Sequence, residues 1–561
     1  MKKISIALSV IVSIAVSLIS CNSGQKNAAA AGGITPTREN TLISVFASEP
    51  NTIDPTINNT VDGNAYINHA FEGLYRYSDG GNGIAVLAPG QAASAPQVTV
   101  HDDGTVTYVF TLRNNLKWSD GKPVTAKDFV FTWQRLVDPK AASPYNYMID
   151  MVVNANEIME GEKDKSELGI RAVNDTTVEI TLTYDCPYFL QMTAFPATFP
   201  VREDILASAG DEWTFSPDTY VGNGPYKLKE WVHNSYILFE KNPNYYNAAA
   251  VTGPEFLRFA LMNDANAILA SYRNNEMDFA GTNLPIDEIP TLIASGALKV
   301  DPRLGTYYVN FNNQKAPFTD ARVRKAFSLV IDRNYIVNQI SRAGEKPADG
   351  FVPSGIIDAA GEGSDFRKTG GSYYSIKPED YEKNVAEAQQ LLADAGYPGG
   401  RGFPVVEYTF NTSDTHRFIG EALQDMWKTK LGVNVTLANE DWAIFIDTRK
   451  HGNYQIARDG WIGGFNDPIV FLDMLVTDNA NNNPHYANPV FDDLIAKAKS
   501  TADPVLRMQY MHQAEDLVVG TDAAMAAIYF YTTLHLDSAR LSGVYASPLG
   551  YYFFDKAQLA K

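Results

Sequence analysis

Apolar positions along the chain change period several times, and each change predicts an element. Residues 41–47 alternate apolar and polar side chains like a strand, and 105–112 (TVTYVFTL) have the β-branched and aromatic content of another. Ser119, Asp120 and Gly121, after Trp118, predict a turn. Thr125 with Asp128 three positions on forms an N-cap and an acidic N3, opening a helix expected to reach Leu136. Asp138 and Pro139 stop it. Further helices are expected over 320–331, over 378–395 with Gly396 as the stop, and over 420–431. Residues 432–437 (GVNVTL) then read as a strand, and Gly222 and Gly224 (VGNGPYKL) as a tight turn before one. Helices alternating with short strands predict α/β layers with partly parallel sheets.

The first forty residues follow a different rule. Lys2 and Lys3 precede an uncharged run from Ile4 to Ile19, shorter than the roughly 20 residues of a bilayer span. A positive start, a short apolar run and a small residue near its end describe a secretory signal. Leu18, Ile19, Ser20 and Cys21 resemble a bacterial lipobox, in which Cys21 receives the lipid and becomes the mature N-terminus. Residues 22–40 are rich in Ala, Gly, Asn and Thr without apolar period, so they read as a flexible tether. The expected address is outside the cytoplasm, periplasmic or cell-surface, with the membrane held through the N-terminal lipid alone.

At 561 residues the chain exceeds a single hydrophobic core, so two or three domains are expected. A net charge of −19, with no long Lys/Arg run, argues against nucleic acid as a partner. With Cys21 assigned to lipid, Cys186 has no partner and reads as a packed thiol. There is no phosphate loop, no H-E-x-x-H and no G-x-S-x-G; Gly222 and Gly224 lack the third glycine and the helix of a dinucleotide site. The eight histidines are scattered. No enzyme, cofactor or metal is therefore expected, although plentiful carboxylates leave a paired-acid glycosidase open. An aromatic share of 12% fits core and sheet packing first, with a ring-lined cleft as the alternative.

Eight segments in order carry a resemblance: 49–55 (EPNTIDP), 71–74 (FEGL), 116–126 (LKWSDGKPVTA), 131–136 (FTWQRL), 222–228 (GNGPYKL), 307–318 (YYVNFNNQKAPF), 411–413 (NTS) and 461–468 (WIGGFNDP). From about residue 41 to the C-terminus the chain resembles the oligopeptide-binding proteins of ABC peptide permeases, solute-binding protein family 5. The resemblance implies a periplasmic-binding-protein-like type II fold (cluster C): two ligand-binding lobes joined by a hinge, plus an inserted third domain. Lobe I would comprise 41–71, 205–304 and 532–561, the inserted domain 72–204, and lobe II 305–531. It implies a monomer that captures a short peptide and delivers it to permease transmembrane subunits served by separate ATPase subunits. Asn59, Thr60 and Val61 would offer backbone from one lobe, and Gly460, Trp461 and Ile462 from the other. Tyr145, Tyr308 and Trp442 would line pockets; Arg458 and His416 would meet the peptide carboxylate. A guanidinium suits that role because it grips a carboxylate in two places.

One departure matters. The family usually carries an acid three residues after the tryptophan, pairing with the ligand's α-amino group; here Gly464 stands there. Either Asp459 or Asp467 reaches that ammonium, or the ligand lacks a free amine: an N-blocked or cell-wall peptide, a nickel chelate, haem or an oligosaccharide. A surface lipoprotein using the fold for protein contacts is the reading from another class; it would show a large exposed apolar patch.

Overall fold

The computed structural model describes residues 34–560 except 48, 82–84, 282–283, 360–363, 480, 502 and 548. The signal segment, Cys21 and the first part of the tether lie outside the described residues. Among those described, no helix is long and apolar enough to cross a membrane.

Eleven strands form one mixed sheet in two groups. In one, Thr41–Val45 runs parallel to Phe256–Ala260 and Phe279–Ala280, and Tyr236–Lys241 and Tyr226–Val232 extend the edge antiparallel. In the other, Val406–Asn411 runs parallel to Val435–Glu440 and touches Ile456–Ile462. Two long strands, Leu298–Phe311 and Met525–Asp537, belong to both groups. They pair antiparallel, but the register slips between Pro302, opposite Thr532, and Thr306, opposite Phe530. Pro302 has no N–H to give to a ladder, so an irregularity is where a strand tolerates it, and a bulge bends and twists the ribbon. The two strands shared by both groups thus carry a register irregularity.

A separate antiparallel sheet orders Gln97–Val100, Val106–Thr111, Thr177–Leu182 and Ile170–Asn174. The helix Ala126–Val137 lies on it, burying Phe129 and Trp133. The backbone N–H of Thr125 donates to the Asp128 carboxylate at 2.7 Å, the capping contact that the spacing predicted. In the other half, Phe327 and Trp427 pack with ring centroids 5.2 Å apart, and the Trp427 indole N–H reaches the Phe327 carbonyl at 3.0 Å. Each such buried side chain contributes about 1.5–3 kcal/mol of hydrophobic stabilisation.

Several of the eight segments prove to be fasteners. Arg135 forks onto Asp54 at 2.9 and 2.7 Å, and the Trp213 indole donates to the same carboxylate at 2.9 Å. Asn223 exchanges two hydrogen bonds of 2.9 Å with the Glu72 backbone. Gly222 and Gly224 are required for a different reason than a turn. A Cβ on Gly222 would lie 2.0 Å from the Ala70 carbonyl oxygen, so glycine permits a close crossing of two backbones.

The helix expected over 420–431 begins earlier, as Asp414–Met426, continued by a wider turn over Trp427–Leu431. Ser413 caps it, accepting from the His416 N–H. The apolar period alone hid this first turn, because Asp414, Thr415, His416 and Arg417 are polar.

Candidate ligand-binding site

Strand Ile456–Ile462 pairs with residues 305–311 along its whole length. On its other edge it meets Val406–Asn411 only at Ile456 and Ala457. From Arg458 to Ile462 that edge meets no strand among the described residues; the Gly460 N–H donates to Asp459 Oδ1 at 2.8 Å, and the remaining edge is open for an extended backbone to add to. Gly460 sits where a Cβ would lie 2.4 Å from the Tyr531 hydroxyl; glycine lets that phenol lie over the face of the strand.

Alternation along the strand sorts the side chains onto two faces. Arg458 stands opposite Val309, and Asp459 opposite Tyr308. Arg458 is 8% exposed; its Nε donates to Asn411 Oδ1 at 2.7 Å, and the guanidinium lies 5.4 Å from the ring centroids of both Trp442 and Phe445. Among the described residues no carboxylate pairs with it. His416 stands nearby, its Nδ1 3.2 Å from the Tyr307 hydroxyl. Burial, helped by the Arg458 charge, lowers its pKa to about 3, so the imidazole is neutral at physiological pH. Trp442, half exposed, completes a cationic corner with an aromatic wall.

Tyr308 does not join this corner. It faces the opposite side of the strand, is wholly buried, and packs edge-on against Phe351 at 5.1 Å. The adjacent Tyr307 is the one that holds His416, and the register of the two strands, which puts Tyr307 opposite Gly460 and Tyr308 opposite Asp459, decides between them. Tyr145 is half-buried and packs edge-on against Phe195 at 4.9 Å. The segment from Asn59 to Val61 is also not an extended edge. Thr60 caps the helix Val61–Ala70, accepting from Gly63, and its carbonyl already takes the Asn64 N–H and the Asn58 amide at 3.1 and 2.9 Å. Threonine is a favoured cap residue and its contact to Gly63 is local, but the polar residues Asp62, Gly63 and Asn64 that follow hide the helix from an apolar-period reading.

Neither acid proposed to stand in at Gly464 is free. Asp459 is paired with Arg449 and takes the amides of Asn310 and Asn483 at 2.7 and 2.9 Å. Asp467 holds both terminal nitrogens of Arg507, at 2.7 and 2.9 Å. A Cβ on Gly464 would meet the Met148 methyl at 3.2 Å and Phe195 at 3.9 Å, so its surroundings are apolar. Cys186 is buried, and that burial pushes its thiol pKa up, as a packed thiol requires.

Residues that the sequence reading missed tie the segment 188–191 to 465–466. Gln191 exchanges hydrogen bonds with the Asn466 backbone at 2.7 and 3.3 Å, and Tyr188 stacks on Phe465 at 4.6 Å. Between these segments lies a cavity of about 460 Å³, with Trp461 in its wall.

Two sheet groups linked by two long strands, with a strand edge left open and the buried Arg458 guanidinium unpaired with any acid among the described residues, fit an α/β solute-binding protein. The comparisons give the family. The model of bacterial extracellular solute-binding proteins, family 5, matches residues 87–483, and the chain belongs to that family. It is 37% identical over 449 residues to the periplasmic oligopeptide-binding protein OppA of Salmonella typhimurium, covering 78% of each chain. The structure of the Escherichia coli murein tripeptide binding protein MppA matches with a TM-score of 0.78 and 33% identity, over 94% of this chain and 99% of that one. Haemophilus influenzae OppA, solved in complex with RPPGFSPFR, matches with a TM-score of 0.78 and 30% identity, over 94% and 100%.

Proposed function

We propose that this chain is the non-enzymatic receptor of an ABC importer, holding a short peptide between two closing lobes and delivering it to the permease. The observation that carries this is the open edge from Arg458 to Ile462 beside a buried guanidinium without an acid partner. A receptor for many sequences must bond the part they share, the main chain, and a strand edge does so. Arg458 then takes the terminal carboxylate, with neutral His416 as a hydrogen-bonding neighbour. The relatives' names, oligopeptide- and murein-tripeptide-binding, support the same ligand class.

In this reading lobe I is 41–71, 205–304 and 532–561, lobe II is 305–531, and 72–204 is the insert. The register slip after Pro302 supports a hinge there, and a ligand bridging both lobes favours the closed state. Export and lipidation at Cys21 would hold the receptor beside the transmembrane subunits. Native mass spectrometry of protein purified without denaturation, with calorimetry on alanine tri- to pentapeptides, tests the reading. Retained peptide masses or binding heats are expected; neither peptide nor heat would overturn it.

A second reading concerns the ligand's N-terminus. With Asp459 and Asp467 committed and Gly464 facing Met148, the solute is one without a free α-amine at that point. A buried ammonium lacking a counter-charge costs several kcal/mol. N-acetylated and free peptides should then bind alike, whereas a hundredfold preference for free N-termini would sink this second reading.

A further inference from the structure

The cavity behind Trp461 has a chemistry of its own. Its walls include Met148, Met151, Met474, Tyr188 and Phe465, apolar and polarisable surfaces that favour an aliphatic stem. At about 460 Å³ it falls within the roughly 300–1,000 Å³ of small-ligand pockets. Its charge is unbalanced. Lys499 reaches Asp473 at 2.7 Å and Asp150 only at 3.8 Å, so two carboxylates share one ammonium. Lys499 is the only partner found for the Asp150 carboxylate among the side chains of the described residues, and Asp150 lines the cavity. Burial, only partly offset by Lys499, raises its pKa to about 6, the behaviour of a carboxylate short of positive charge. The exposed Tyr147 ring in the same wall offers a face on which a cation is favourable, whereas the Tyr188 ring is already stacked on Phe465 and packed against the Arg507 guanidinium.

We infer that this cavity is a specificity pocket for a cationic side chain, lysine or arginine, of the bound peptide: the stem lies along the methionine and aromatic walls and the charged tip meets Asp150. The inference rests on the reading of the open edge as the peptide's seat, since Trp461 belongs both to that edge and to the cavity wall. A peptide's own α-ammonium has the same charge but no stem to fill the methionine-lined part.

The test is calorimetry on N-acetylated tripeptides of alanine carrying lysine or its uncharged isostere norleucine at each position in turn. Free and acetylated trialanine serve as the arm for the other source of ammonium. Lysine is expected to bind at least about tenfold tighter than norleucine at one position, about 1.4 kcal/mol. That ratio should shrink towards one in Asp150→Asn and survive in Asp150→Glu. Equal binding of lysine and norleucine peptides by the unaltered protein overturns the inference without any variant having to fold. So does a preference that persists in Asp150→Asn, or one that follows the free α-amine instead of the side chain. If no peptide binds, trialanine included, the receptor reading itself falls and the pocket's assignment falls with it.

Discussion

Arg458 Nε donates to Asn411 Oδ1 at 2.7 Å, and this neutral amide is the only hydrogen-bonding partner of the buried guanidinium among the described residues. The contact fixes the guanidinium plane and leaves its terminal nitrogens for an incoming anion. The same strand places Asp459 on the opposite face, already neutralised by Arg449. Cation and anion are adjacent in sequence, yet only the cation is available.

Replacing Arg458 with Gln should therefore weaken peptides through their carboxylate. Removing one partner of a desolvated charge pair costs about 2–5 kcal/mol. Tripeptide affinity should fall by roughly thirtyfold or more, while C-terminally amidated peptides should lose little. Calorimetry on both peptide sets checks this; equal losses would show that Arg458 does not meet the carboxylate.

The Asp467–Arg507 fork is predicted to matter for stability. Both side chains are about 2% exposed and joined by two hydrogen bonds. Arg507→Met leaves a buried carboxylate uncompensated and should cost about 3–5 kcal/mol, read from urea unfolding. Combining it with Asp467→Asn should recover part of the loss.

Asp150 sets a pH dependence. Its charge is faced by Lys499, Asp473, Tyr147, Tyr184 and Tyr188; burial raises the three phenols, so they stay protonated across the range, and Lys499 stays charged. With Asp150 titrating near 6, affinity for a lysine peptide should fall about five- to tenfold between roughly pH 7.5 and 5. His416, lowered to about 3, stays neutral over that range and adds nothing. Without ligand the sign reverses. The folded state takes up the proton before the unfolded chain, whose carboxyl titrates near 3.8, so Asp150 favours folding as pH drops from about 6 towards 4. A flat lysine-peptide affinity across these pH values would contradict the assignment.

Gly464→Asp should introduce a preference for free N-termini. The new Cβ meets the end of the flexible Met148 side chain at 3.2 Å and Phe195 at an ordinary 3.9 Å, so the substitution is sterically accessible. The ratio of free to N-acetylated tripeptide affinity should rise about tenfold over the unaltered protein, measured in parallel titrations. An unchanged ratio would mean that the ligand's N-terminus lies elsewhere.

Local chemistry was legible in the chain itself. The cap at Thr125 with Asp128, the strand over 106–111 and the alternation of helices with strands all follow from short-range periodicity and capping. The collinear segments gave the family and pointed to Arg458 and His416. What only the tertiary structure decided depends on contacts between distant residues. That Asp54 and Glu72 fasten segments together and that Tyr307 rather than Tyr308 meets His416 are matters of which neighbours arrive. The charge state of the site is the clearest case. Asp459, Asp467 and Asp150 are alike in sequence, but Arg449 and Arg507 reach the first two, and Asp150 is left sharing one lysine. Electrostatics depends on distance through space and on burial, and neither is written in the spacing along the chain.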